Sequence, residues 1–121
     1  MYFLTVKSSI SGAHQLKDFP GDCKRIHGHN WQIKATIKSS ELNHNGMVMD
    51  LFELQNILDK CLEKFDHQFL NHIEPFDKIA PTSENIAFLV FTEMAEKLPE
   101  FITMESIEVC ETPDFKVLYK P

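Results

Sequence analysis

An α+β fold, with an antiparallel sheet and two helices on one of its faces, is predicted by three features of this chain. Segments alternating between apolar and polar residues gather at both ends of the sequence. The middle carries apolar residues at helical spacing, and turn-forming residues punctuate the boundaries. Strands and helices are thus segregated in the order strand, strand, helix, helix, strand, strand, which suits an α+β layer rather than alternating crossovers. A chain of 121 residues, 43% hydrophobic and 25% charged, is enough for one domain with a modest core.

Residues 2–10, YFLTVKSSI, place Tyr2, Leu4, Val6 and Ile10 on one parity and predict the first strand. Residues 11–26 hold Gly12, Pro20 and Gly21 and read as a long irregular connection. A second alternating strand is predicted over 27–38, followed by a turn at 41–46, ELNHNG, with its Asn-Gly signal. Asp50 is placed to cap a helix over 51–65, in which Leu51, Leu54, Leu58, Cys61 and Phe65 recur on one face. Thr82 caps a second helix from Ser83 to about Leu98, with Ile86, Leu89, Val90, Met94 and Leu98 as its apolar stripe. Two last strands, over 107–110 and 116–119, are joined through Thr112, Pro113 and Asp114.

A net charge of −6 argues against a nucleic-acid binder working through a general basic surface. No apolar run approaches the ~20 residues that a membrane-spanning helix needs. The opening MYFLTVKSS turns polar too soon for a signal peptide. Three irregularly spaced cysteines do not suggest a disulfide framework, so a reduced, cytoplasmic setting is expected.

The stretch CKRIHGHNWQI, residues 23–33, carries the first chemical signal. On a strand, His27, His29, Trp31, Ile33, Ala35 and Ile37 share one face, while Asn30, Gln32, Lys34, Thr36 and Lys38 take the other. Both imidazoles therefore point to the apolar side, where a divalent metal would satisfy their nitrogens. His14, in the connection after the first strand, is the natural third ligand. Three neutral imidazoles with an open fourth position form the pattern of catalytic zinc. The alternative is a pair of partly exposed histidines hydrogen-bonded at a strand end.

Cys23 lies four residues before His27 and admits two roles. As a fourth ligand it would close a structural site; as a free thiol near a cation and Lys24 or Arg25 it would act as a base. Cys61 and Cys110 read as inert. In KFDHQFLN, Asp66 can orient or activate an imidazole, though His67 is its sequence neighbour and adjacent side chains seldom pair well. His44 and His72 sit in polar, turn-like contexts and read as surface residues. Glu111 shares the parity of Ile107 and Val109. It is either leaving the sheet or buried with a partner, and a planar ligand with two adjacent N–H groups would pair it bidentately.

Taken in order, SGAH, CKRIHGH, GMVMD, DHQFLN, PTSEN and CET resemble the 6-pyruvoyl-tetrahydropterin synthase superfamily over nearly the whole chain. The three-residue gap between Cys23 and His27 is similar to that of its bacterial 6-carboxy-tetrahydropterin synthases in the 7-deazaguanine (queuosine) pathway, whereas pyruvoyl-forming members have a longer gap. The resemblance implies the tunnelling fold, in which each subunit gives a four-stranded antiparallel sheet and two helices. Three sheets would close a barrel and two trimers stack into a homo-hexamer with sites between subunits. It also implies Zn2+ on His14, His27 and His29, and Cys23 as the catalytic thiol. Asp66 and His67 would complete proton transfer from a neighbouring subunit, and Glu111 would anchor a pterin ring. Thr82, Ser83 and Glu84 would line the pterin pocket. The implied substrate is 7,8-dihydroneopterin triphosphate, with Lys24 and Arg25 as candidate cations for its phosphates. The products would be 6-carboxy-5,6,7,8-tetrahydropterin, acetaldehyde and triphosphate. Competing expectations are a 6-pyruvoyl-tetrahydropterin synthase, a non-catalytic zinc- and pterin-binding protein, and a structural zinc site.

Overall fold

In the computed structural model, residues 1–17 and 21–121 are described, Asp22 and Cys23 by their backbone alone. Strand β1 (Tyr2–His14) pairs antiparallel with β2 (His27–Ser39) from Tyr2 opposite Ser39 to His14 opposite His27. Helix α1 (Leu51–Leu62) leads to a two-residue strand, β3 (Gln68–Phe69), and helix α2 (Ser83–Ala95) precedes the hairpin of β4 (Thr103–Thr112) and β5 (Phe115–Tyr119). The sheet order is β3-β1-β2-β4-β5. The fold is therefore α+β as expected, but with five strands instead of four, the extra one parallel to β1 through Gly12–Gln68 and Ala13–Phe69.

Alternation explains which face each strand buries. Val6, Ile10, Trp31, Ile33, Ala35, Ile37, Ile107 and Val109 are buried on the helix side, against Leu54, Leu58, Cys61, Ile86, Val90 and Met94 of the helices. Truncating Leu58 to alanine removes packing from that layer and costs roughly 2–5 kcal/mol. The opposite face is polar. There Glu108 lies 3.5 Å from Lys34 and 3.2 Å from Lys116, and Glu105 lies 2.8 Å from Lys38 and 3.3 Å from Lys120. Such exposed pairs contribute little each, on the order of 0–1 kcal/mol.

The caps match the sequence reading. Asp50 accepts from the Phe52 amide at 2.8 Å and Thr82 Oγ1 from the Asn85 amide at 3.1 Å. Gly46 supplies the turn at 41–46 with a backbone φ of 78°, which glycine adopts at little cost. Several boundaries differ. β1 continues four residues past Ile10 because its end is hydrogen-bonded on both edges, by β2 and β3. α1 stops at Leu62, since the chain must turn for Phe65 to enter the core and Asp66 to reach β1. α2 stops at Ala95, where the Lys97 amide bonds to the Met94 carbonyl three residues back and tightens the last turn, and Pro99 bars the helix from resuming at Leu98. β4 begins at Thr103, earlier than the apolar alternation indicated, and a shift in register between Thr36 and Ile37 absorbs the added length.

Candidate metal centre and pocket

His14 is the last residue of β1, not part of a loop, and stands directly opposite His27 in the ladder. His29 is one pleat further along β2 on the same face. Their rings approach edge-on, with centroids 4.5 Å apart for His14–His27, 5.2 Å for His14–His29 and 5.0 Å for His27–His29. One ring nitrogen from each lies within 4.8 Å of the others.

Backbone carbonyls set the chemistry of this cluster. His14 Nδ1 donates to the Pro81 carbonyl at 2.8 Å, and His27 Nδ1 donates to the Arg25 carbonyl at 2.8 Å. In a neutral imidazole the other nitrogen is then a bare acceptor. Yet the two Nε2 atoms face each other at 2.9 Å, and neither carries a proton to share while both carbonyl bonds stand. His29 Nε2 is buried with no hydrogen-bond partner among the described residues. Two inward lone pairs and a third ring nitrogen without a partner among the described residues call for a cation. A metal ion accepting all three nitrogens fits this donor set, and a carbonyl bonded to the far ring nitrogen is how metal-binding imidazoles are oriented. Burial lowers the proton affinity of His14 and of His29, which keeps both in the neutral, ligating form at pH 7.

Glu111 faces the same cluster. Its Oε1 is 3.3 Å from His29 Nε2 and 3.7 Å from His14 Nε2. The first contact is within ion-pair distance but lacks hydrogen-bond alignment, so His29 counts as unpartnered and the carboxylate is not satisfied by it. A cavity of about 660 Å3 opens beside this carboxylate and is lined by His27, His29, Glu111, Thr82, Ser83 and Glu84, with Leu16, Phe115, Lys116 and Val117 completing the wall. It has the size and the apolar wall with few polar groups expected of a small-molecule site.

Asp66 and His67 occupy the turn before β3. Asp66 Oδ1 accepts from the Ser11 amide at 2.9 Å, and its Oδ2 lies 3.1 Å from His67 Nδ1. Sequence neighbours meet here because His67 takes a φ of 58°, a left-handed conformation that swings its ring back toward Asp66. The Ser11 amide, then His67, hold the Asp66 carboxyl below its ordinary range. The His67 side chain is 81% exposed and is not among the residues lining the cavity.

Cys23 belongs to a single-turn 3-10 helix, Gly21–Lys24, and its side chain lies outside the described residues. The proposed phosphate cations Lys24 and Arg25 are exposed and do not line the cavity, whereas Lys116 does. His44 and His72 are exposed. Burial pushes the Cys61 thiol up, as expected for an inert cysteine. Among the contributors without a sequence signal are the Pro81 carbonyl, a backbone group, and Phe115, which precedes the strand expected over 116–119 and here begins β5. No helix among the described residues is long and apolar enough to cross a membrane.

Comparison with known proteins gives a consistent picture. The sequence profile of 6-pyruvoyl tetrahydropterin synthase matches residues 3–121. A protein of Archaeoglobus fulgidus, provisionally named 6-carboxy-5,6,7,8-tetrahydropterin synthase, is 39% identical over 90% of this chain and 87% of its own length. The 6-carboxy-5,6,7,8-tetrahydropterin synthase of Synechocystis is 33% identical over 91% and 88%. Among solved structures, the 6-pyruvoyl tetrahydropterin synthase of Caenorhabditis elegans superposes with a TM-score of 0.84 at 29% identity, covering 100% of this chain and 97% of that one.

Proposed function

Given that the chain belongs to the 6-pyruvoyl tetrahydropterin synthase family, we propose that it is a zinc-dependent 6-carboxy-5,6,7,8-tetrahydropterin synthase of 7-deazaguanine (queuosine) biosynthesis. The observation that carries this reading is the set of three inward imidazole nitrogens beside a cavity that also presents Glu111. The choice of product is supported by the names of the Archaeoglobus and Synechocystis relatives and by the short gap between Cys23 and His27.

On this reading His14, His27 and His29 hold Zn2+, which supplies Lewis-acid polarisation of the substrate's side-chain hydroxyls. Glu111 accepts from the 2-amino group and ring N–H of the pterin, fixing the ring with its side chain toward the histidines. Thr82, Ser83 and Glu84 line the same pocket. Cys23, as thiolate, and His67 exchange protons with the substrate side chain. Asp66 keeps a proton on His67 Nδ1, so that Nε2 is the exchanging atom. The overall conversion consumes one water. 7,8-Dihydroneopterin triphosphate loses triphosphate, and its side-chain carbon–carbon bond is cleaved to give 6-carboxytetrahydropterin and acetaldehyde. A thiol in this role needs reduced sulfur, in keeping with the cytoplasm.

The exposure of His67 supports a site shared between subunits, because the side chain meets nothing of the cavity in its own chain. Before Gly12, β1 has no strand on its outer edge among the described residues, although Asp66 and His67 take the Ser11 backbone groups and Gln55 Nε2 donates to the Lys7 carbonyl. The outer edge of β5 also lacks a strand among the described residues, and pairing the two edges between subunits would close a barrel within a homo-hexamer. The test is incubation of the zinc-loaded protein with 7,8-dihydroneopterin triphosphate, with the pterin identified by mass and acetaldehyde assayed. Equal yields of 6-carboxytetrahydropterin and acetaldehyde are expected. A 6-pyruvoyl product without acetaldehyde, or no turnover, would overturn the reading.

A further inference from the structure

The parallel pairing of β1 with β3 ends at Ala13 opposite Phe69, one residue short of His14. In the same register, Gln15 stands opposite Asn71, and there a side chain takes over from the backbone. Asn71 Oδ1 accepts from the Gln15 amide at 2.8 Å, and Asn71 Nδ2 donates to the Gln15 carbonyl at 2.9 Å. The amide of one side chain thus satisfies both peptide groups of a half-buried residue, where a third rung of sheet would otherwise be needed. Gln15 passes the constraint on, since its Nε2 donates to the Lys24 carbonyl at 2.8 Å. Lys24 closes the 3-10 turn that carries Cys23, and the next carbonyl, that of Arg25, fixes the His27 tautomer.

We infer that Asn71 is a positioning residue whose two bonds to the Gln15 backbone, relayed by the Gln15 side chain to Lys24, fix the Cys23 turn relative to His14. This rests on the reading of Cys23 as the reacting thiol. No group of Asn71 need touch substrate for it to matter, because displacing a reacting group by ~1 Å can lower a rate about a hundredfold. The clamp couples the 3-10 turn Leu70–His72, which follows β3, to the thiol turn through residues that are neither ligands nor acids and bases of the reaction.

Three variants separate its parts. Asn71→Ala removes both bonds, Asn71→Asp keeps the acceptance but loses the donation, and Gln15→Met removes only the bond to Lys24. With zinc content and folding verified, Asn71→Ala is expected to lower kcat at least ~10-fold while KM stays within about threefold, the signature of a lost transition-state alignment. Asn71→Asp should fall between it and the unaltered chain, and Gln15→Met should lose kcat without losing metal. A second readout needs no turnover: the rate at which iodoacetamide labels Cys23, followed by mass spectrometry of its peptide, should change severalfold in Asn71→Ala and in Gln15→Met. If the unaltered chain does not turn over the pterin triphosphate, the functional reading fails and labelling alone decides the clamp. If Asn71→Ala does not fold, Gln15→Met decides it. Unchanged kcat and unchanged labelling in folded variants would overturn the inference.

Discussion

His14 is wholly buried, with a carbonyl on one ring nitrogen and a second imidazole on the other, whereas the His67 ring is 81% exposed and, among the described residues, paired with the carboxylate beside it. Both are nevertheless anchored to β1, His14 as its terminal residue and the His67 turn through the Ser11 amide and carbonyl. One region is complete within the chain and turned inward. The other has a fixed backbone and a side chain turned outward. On the proposed function, the chemical partner of this exposed imidazole would lie outside the cavity of its own chain.

The largest effect belongs to the inward region. His27→Ala leaves two nitrogens where three converge, so metal content and turnover should both collapse, while His44→Ala should change neither. Full zinc occupancy in His27→Ala, by elemental analysis, would remove the triad from the metal site. Next come Cys23→Ala and His67→Ala, each expected to keep zinc and lose ~10²–10⁴-fold in turnover. Dissociating and reassembling the two inactive proteins together should restore part of the activity, because mixed interfaces unite an intact thiol with an intact imidazole. An active monomer by light scattering, or no recovery in verified mixed assemblies, would place the whole reaction inside one chain.

A smaller effect is expected at Glu111. Glu111→Gln presents an N–H where the carboxylate had a second acceptor and should weaken binding of a non-reacting pterin by about ten- to a hundredfold. Zinc affinity should move far less, and an unchanged pterin titration would return Glu111 to a purely structural place. The smallest effect separates the regions by pH. The metal-free protein holds His14 and His29 below their ordinary 6.5, so the unfolded chain takes up protons there first. Their stabilisation is present above about pH 6.5 and is lost as pH falls below it. Asp66 is held below its ordinary 3.8, so its contribution persists to far more acid conditions. Urea midpoints should therefore drop between pH 7.5 and 5.5 in the metal-free protein. His14→Gln should flatten that slope and Asp66→Asn should not.

Much of this was legible in the sequence where a repeat of two or a helical stripe sets burial. Parity put His27 and His29 beside Trp31 and put Glu111 with Ile107 and Val109, and the sheet obeys it because every second side chain must face the helices. Asp50 and Thr82 were recognisable because an N-cap needs a short acceptor side chain just before the apolar stripe. What escaped depends on contacts far apart in sequence. β3 has two residues and no alternation to reveal it, so the sheet read as four strands. His14 looked like a loop residue because Ser11, Gly12 and Ala13 are small and weakly strand-forming, and only pairing on both edges makes them a strand. The contact of Asp66 with His67 escaped because it needs a left-handed residue, which composition does not announce.

The carbonyls behind His14 and His27 differ in one further respect, their distance along the chain. Arg25 is two residues from His27, so that half of the arrangement is available to any short segment. Pro81 is 67 residues from His14, just before the cap of α2, so the other half exists only after a long loop has closed. During synthesis His14, His27 and His29 all leave the ribosome before Pro81 does. On the proposed function, high-affinity metal loading would wait until α2 has docked on the sheet, and metal uptake would report that folding has finished.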